Sequence, residues 1–217
     1  MKDILVFTAD ADALAVMTSV LERHQSLGTR RISFLVDRHP YRDPGMVKTG
    51  ADLAKLWKGE FDRALLIWDH HGCGREGRNS PDECAKQVQQ RLDDVSWKNR
   101  SAAVVIVPEL EEWLWHNVAS FCSHFGITQM RLNGWVDDFA NSCGLTSSAA
   151  VAERPKELFE FICLKKLRRT ISPADFRAIA RRASLTAWRR SGSFRQIVTV
   201  LRTWFPPASN NSLGGAP

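Results

Sequence analysis

The sequence predicts an α/β protein: a largely parallel sheet flanked by helices, followed by a helical, basic C-terminal segment. Four short apolar runs, Ile4–Phe7, Ile32–Val36, Leu65–Trp68 and Val104–Val107, are β-rich and read as buried strands. Segments with helical spacing separate them, and that alternation argues for right-handed crossovers within one sheet. Each run also ends on or just before an acid: Asp10, Asp37, Asp69, and the group Glu109, Glu111 and Glu112. In open parallel sheets the carboxyl ends of the strands carry the site, so these acids are expected to converge on one edge.

After the first strand, Leu14, Val16, Met17, Val20 and Leu21 recur at helical spacing and predict a helix over Asp12–His24, capped by Asp10 or Asp12. The second strand covers Arg31–Asp37. Two prolines and a glycine mark His39–Gly45 as a loop. Leu53, Leu56 and Trp57 share one face of a helix expected over Thr49–Lys58. Ala64–Trp68 is the third strand, and the glycines from Gly72 to Pro81 predict a flexible loop after it. Asp82–Asp94 reads as a helix with Val88 and Leu92 inward. Ala102–Val107 is the fourth strand, and Leu110, Trp113, Leu114 and Val118 predict one helix over Glu109–Phe121. Beyond Gly126, helices are expected at Trp135–Ala140, Glu153–Leu167, Pro173–Ala183 and Ser193–Trp204. The organisation predicted is an α/β core over residues 1–126, a helical basic subdomain over 127–205 and a disordered Pro/Ser/Asn/Gly-rich tail over 206–217.

At 217 residues with 44% hydrophobic content, the chain suffices for a sizeable core and is too apolar to be disordered. No apolar stretch approaches the ~20 residues that span a membrane. The start runs straight into a strand with no cleavage-site pattern, which predicts no secretory signal. Five scattered cysteines, without a Cys-x-x-Cys pair, predict reduced thiols in a cytoplasmic protein. Charge is unevenly placed. Residues before Arg154 carry 17 Lys/Arg against 21 Asp/Glu, whereas Arg154–Arg202 carry 13 against 3. Such a basic segment suits a polyanion, most often nucleic acid; a solvated surface or a face for an acidic subunit are the alternatives.

Converging carboxylates repel one another unless a divalent cation neutralises them, so the acid-tipped strands suggest a metal site. Asp69-x-His71 is the sharpest local feature, because it stands where a buried strand opens into a Gly-rich loop. Carboxylate oxygen suits Mg²⁺ or Mn²⁺, and imidazole tolerates Mn²⁺ better than Mg²⁺. The plainer alternative is that Asp69 caps a turn. Glu109 and Glu112 share a helical face from which Glu111 points away. A zinc reading of His70, His71, Cys73 and Cys84 matches no standard spacing. Among the basic residues, Lys156, Lys165, Lys166, Arg168, Arg169, Arg181 and Arg182 are candidates to hold a phosphate backbone. Trp188 and Phe194, beside them, read as core.

At these residues the chain resembles the Toprim-like proteins of bacterial defence and mobile elements, particularly the RloB-like group and its relatives. Asp10 stands where that family has a first-strand glutamate. Asp69 matches the first Asp of its Asp-x-Asp, with His71 in the second place. Pro108-x-x-Glu111-x-Trp113 is similar to its Pro-x-x-Glu-x-Trp element, and Arg154-Pro155-Lys156 and Ser191-Gly192-Ser193-Phe194 to its C-terminal layout. The resemblance covers about residues 3–204. It implies a compact parallel α/β fold and a Mg²⁺- or Mn²⁺-dependent nuclease of an anti-phage defence system, with Asp10, Asp69, His71 and Glu111 around the metal and Asp10, Asp69 and Glu111 catalytic. The expected partners are nucleic acid and other defence-system proteins, not a membrane. His71 and the shorter Asp10 depart from the family pattern, and they favour the alternative of a non-catalytic scaffold or nucleic-acid-binding subunit.

Overall fold

A computed structural model of the chain describes residues 1–207. Four strands, β1 (Lys2–Thr8), β2 (Phe34–Arg38), β3 (Phe61–Asp69) and β4 (Ser101–Ile106), form one all-parallel sheet in the order β2-β1-β3-β4. The expected α/β class and all four expected strands are present. β2 begins later than its apolar run because the Asp3 carboxylate accepts from both the backbone N–H and the hydroxyl of Ser33 at 2.7 Å, turning the chain before the ladder starts.

The first half carries α1 (Ala11–Leu21), α2 (His24–Leu27), α3 (Arg42–Lys55), α4 (Pro81–Leu92), α5 (Glu111–Trp115) and α6 (Val118–Phe125). The second half carries α7 (Gln129–Ser142), α8 (Ser147–Glu153), α9 (Pro155–Glu160), α10 (Pro173–Arg182), α11 (Leu185–Trp188) and α12 (Gly192–Trp204). Two expectations are corrected. The His39–Gly45 loop is in part the start of α3. Pro44 lies in the first turn, where a missing N–H costs nothing, and Gly45 lets the helix pass His39, whose Nδ1 would lie 2.2 Å from an added Cβ. The single helix over Glu109–Phe121 is instead two, because Asn117 leaves helical geometry (φ −140°, ψ 67°) and its side-chain oxygen accepts from the Ser184 N–H at 3.1 Å. The tail expected from 206 onward lies outside the described residues from position 208.

Strand alternation sorts the core into two layers. Ile4, Val6, Leu65, Ile67, Val104 and Ile106 face one side and share a core with Val16, Trp113, Phe159, Phe176 and Phe194 of α1, α5, α9, α10 and α12. Leu5, Phe7, Leu66, Trp68 and Val105 face the other, against Met46 of α3, Cys84 and Val88 of α4, and Trp97. The C-terminal helices are thus the covering layer of the sheet. Trp113 anchors them: its ring lies 5.1 Å from Phe194 and 6.0 Å from Trp188, and its Nε1–H donates to Ser193 Oγ at 2.9 Å. Trp188 and Phe194 are fully buried, as expected of core. Arg23 Nη1 donates to the carbonyls of Ala180 and Ala183 at 2.8 Å, closing the end of α10 onto α1. The five cysteines are free, and among the described residues no helix is long and apolar enough to cross a membrane.

Because the sheet and the C-terminal helices share one core, Phe194→Ala should lower stability by about 3–5 kcal/mol within a single urea-unfolding transition followed by circular dichroism. Two separate transitions would show instead that the C-terminal helices fold as an independent unit.

Candidate active site at the carboxyl edge of the sheet

Asp69 closes β3 opposite Ile106 of β4, and two-residue alternation turns its side chain to the face of Leu65 and Ile67, where α1, α9 and α10 pack. The pairing continues past the strand ends: His70 N–H donates to Ile106 O at 2.8 Å and His71 N–H to Pro108 O at 3.1 Å. That continuation holds the segment leading to Glu111 beside Asp69. Asp10 caps α1, with Oδ1 accepting from Asp12 N–H at 3.0 Å and Ala13 N–H at 2.9 Å. Asp43, in the first turn of α3, accepts the Asp69 backbone N–H on Oδ1 at 2.8 Å. From the opposite wall Lys156, on the first turn of α9, brings Nζ to 4.0 Å from Glu109 Oε1. Asp10, Asp12, Asp69, Glu111, Lys156 and Arg42 line one cavity of ≈ 340 Å³.

Burial and mutual repulsion set the protonation of this cleft. Burial, then the charges of Glu111, Asp43 and Asp10, push Asp69 well above the carboxylate range. Burial, reinforced by Glu109 and Asp10, pushes Glu111 up to about 8 against the relief from Lys156. Asp12 is raised to about 6 by burial and by Asp10, and burial also raises Asp43 and Glu109. Burial pulls Lys156 down, but Glu111, Glu109, Asp69 and Glu160 together hold it above its ordinary value. The cleft therefore concentrates more carboxyls than one ammonium can neutralise. Desolvated titratable groups gathered in a cleft with a cationic partner are the pattern of a candidate functional site. No family model, curated protein or solved structure matches this chain.

Of the residues singled out in the sequence, Asp10, Asp69, Glu111 and Lys156 come together. His71 does not: it is exposed on the loop after β3 and is not among the residues lining the cavity. Asp37 lines a neighbouring cavity of ≈ 580 Å³ that shares Asp10, Asp12 and Arg42. Glu112 turns away to pair with His116. Three of the basic candidates are tied to acids: Lys166 to Asp138 at 2.6 Å, Arg169 to Asp175 at 2.5 Å and Arg181 to Glu22 at 3.7 Å. Lys165, Arg168 and Arg182 are exposed and make no ion pair among the described residues. Asp43 was missed because its segment reads as a loop; its one signal is an acid next to a proline, the composition of a helix's first turn.

The donor set of the cleft is all hard oxygen, which fits Mg²⁺ or Mn²⁺ in kind. Asp69, Glu111 and Asp10 are the carboxylates that would hold such an ion. They are not drawn up into a ready cage, however. Among the described residues the group of donors lying within 4.8 Å of one another is His70, Cys73 and Cys84.

The raised acids carry a sign. Glu111 binds its proton more tightly folded than unfolded, so its stabilisation is complete below its ordinary value of 4.5 and is lost as pH rises towards about 8. In metal-free buffer, unfolding free energy should fall across that window by up to ~1.4 kcal/mol per pH unit for each such proton. Glu111→Gln should flatten the slope and leave the variant relatively more stable at pH 8. An unchanged slope in urea titrations at several pH values would mean that Glu111 ionises normally.

Proposed function

We propose that the chain is a Toprim-like, divalent-metal-dependent nuclease of an anti-phage defence system, acting in the cytoplasm on nucleic-acid phosphodiesters. The observation that carries this reading is buried Glu111 beside half-buried Asp69, whose charges repel, with Asp10 at the carboxyl edge of a parallel sheet. A group of carboxyls kept partly protonated by one another is stable without metal and becomes a binding site once a divalent cation supplies the missing positive charge. Bound there, Mg²⁺ or Mn²⁺ would lower the pKa of water and offset charge on the phosphoryl group. Asp10 is held in place by its cap bonds, so it presents its carboxylate without rearrangement. Lys156 and Arg42 reach the same cavity from opposite walls and supply the positive charge an incoming phosphodiester needs. Exposed Lys165, Arg168 and Arg182 would hold the flanking backbone.

A non-catalytic role, as a scaffold or nucleic-acid-binding subunit of a multi-protein defence complex, is favoured by two observations. The cleft acids do not converge as ligands, and His71 stays outside the cleft.

Purified protein with Mn²⁺ is expected to cleave DNA or RNA, and Asp69→Ala to reduce the rate by roughly 100-fold or more with an unchanged circular-dichroism spectrum. Absence of metal-dependent cleavage of both nucleic acids, together with no Mg²⁺ or Mn²⁺ heat in calorimetry, would leave the scaffold reading. Nucleic-acid affinity should weaken with salt in either case. Replacing Lys165 or Arg168 by Ala should reduce the slope of log K against log salt by about 1 each; a slope that does not move would place the backbone contacts elsewhere.

A further inference from the structure

We propose that His70, Cys73 and Cys84 form a second, sulfur-containing metal site that takes Zn²⁺ and clamps the loop between β3 and α4. Potential ligand atoms of these three residues lie within 4.8 Å of one another. Both cysteines are free and buried, Cys73 at 3% and Cys84 at 0% exposure. His70 Nε2 lies 3.2 Å from the carbonyl oxygen of Asn79. The Nε2–H that donates there leaves Nδ1 with the free lone pair, and an imidazole whose outer N–H is fixed by a carbonyl is the usual arrangement of a metal-ligating histidine.

The loop is already folded for the purpose. Gly72 and Gly74 adopt left-handed φ values of 86° and 74°, which glycine takes without strain, and the Cys73 N–H between them donates to the His70 carbonyl at 3.3 Å. Ser80 and Glu83 make a reciprocal cap on α4, which fixes Cys84 in its first turn. Strand alternation explains why these donors are separate from the acid cleft. Asp69 turns to the face of Leu65 and Ile67, while His70, just past the end of β3, lies with Cys73 and Cys84, which are buried in the opposite layer. Two thiolates and one imidazole select a borderline-soft cation, and solvent completes the fourth place. Each thiol gives up its proton as its sulfur takes the metal, so zinc binding releases two protons and changes no oxidation state.

The site does not depend on the nuclease reading, and its test is independent of cleavage. Co²⁺ titrated into the reduced, metal-free full chain should raise thiolate-to-cobalt charge-transfer bands and the intense visible bands of tetrahedral cobalt that saturate at one equivalent, and Zn²⁺ should abolish them. Cys84→Ser should lose the charge-transfer bands, and Asp69→Ala should keep them. Because Cys84 is wholly buried, His70→Ala, at a partly exposed position, is the companion variant: it should bind cobalt more weakly with altered visible bands and an unchanged far-ultraviolet spectrum. Failure of the wild-type chain to bind cobalt, binding without thiolate bands, or bands that survive in Cys84→Ser would each overturn the proposal.

Discussion

The parallel pairing of β3 between β1 and β4 is the constraint on which the rest depends. β3 is buried on both faces, so its side chains must satisfy two cores at once: Leu65 and Ile67 on one side, Leu66 and Trp68 on the other. A slip of one residue would exchange those sets and turn Asp69 into the wrong layer. Register therefore specifies chemistry as well as packing. The same pairing, carried on by His70 and His71 to the carbonyls of Ile106 and Pro108, draws the segment with Glu109 and Glu111 alongside β3.

An electrostatic cost follows from that convergence. Several carboxyls share a cleft of small volume, and the groups that oppose them come from helices distant in sequence. Lys156 arrives on α9 only because Phe159 packs into the common core with Phe121 and Phe176, at 5.6 and 5.3 Å. Arg42 arrives because α3 starts early, and the Asp43 beside it caps the end of β3 by accepting the Asp69 N–H. The balance of the cleft is thus a tertiary property. Removing the C-terminal helices would remove both a wall of the core and the main cation facing the acids.

Much of this was legible in the sequence. Strands with buried centres leave apolar runs, as in β1, β3 and β4, and the half-buried edge strand β2 still shows in Phe34–Val36. The acids that follow them, Asp10, Asp69 and Glu111, do meet, because the sheet is parallel and its carboxyl ends share an edge. What the sequence hid has physical causes. Asp43 and Gly45 look like loop residues because a proline and a glycine in a helix's first turn have the same composition as a turn. α2, α8 and α11 are too short to show periodicity. Lys156, which by charge alone looked like one more backbone-binding cation, faces the acids, and only the packing of α9 reveals it. Three of the seven basic residues named, Lys166, Arg169 and Arg181, are tied to Asp138, Asp175 and Glu22, pairings that follow no helical i,i+3 or i,i+4 pattern.

The Asp69-His70-His71 tripeptide shows most clearly how a motif can mislead when read along a line. As text, Asp-x-His suggests two ligands of one metal. Both histidines lie past the end of β3: His70 is gathered with Cys73 and Cys84, while His71 is exposed on the loop. The partner of His70 is then to be sought on the opposite layer, where Cys73 and Cys84 are buried, and not among the carboxylates. A Cβ on Gly72 would stand 3.9 Å from Asp43 Oδ2, so the loop bearing the sulfur-containing cluster abuts the carboxyl that holds the Asp69 backbone. One strand end thus leads to both an oxygen-lined cleft and a sulfur-containing cluster, because Asp69 closes β3 on one face and the chain just past it carries His70 to the buried cysteines of the other.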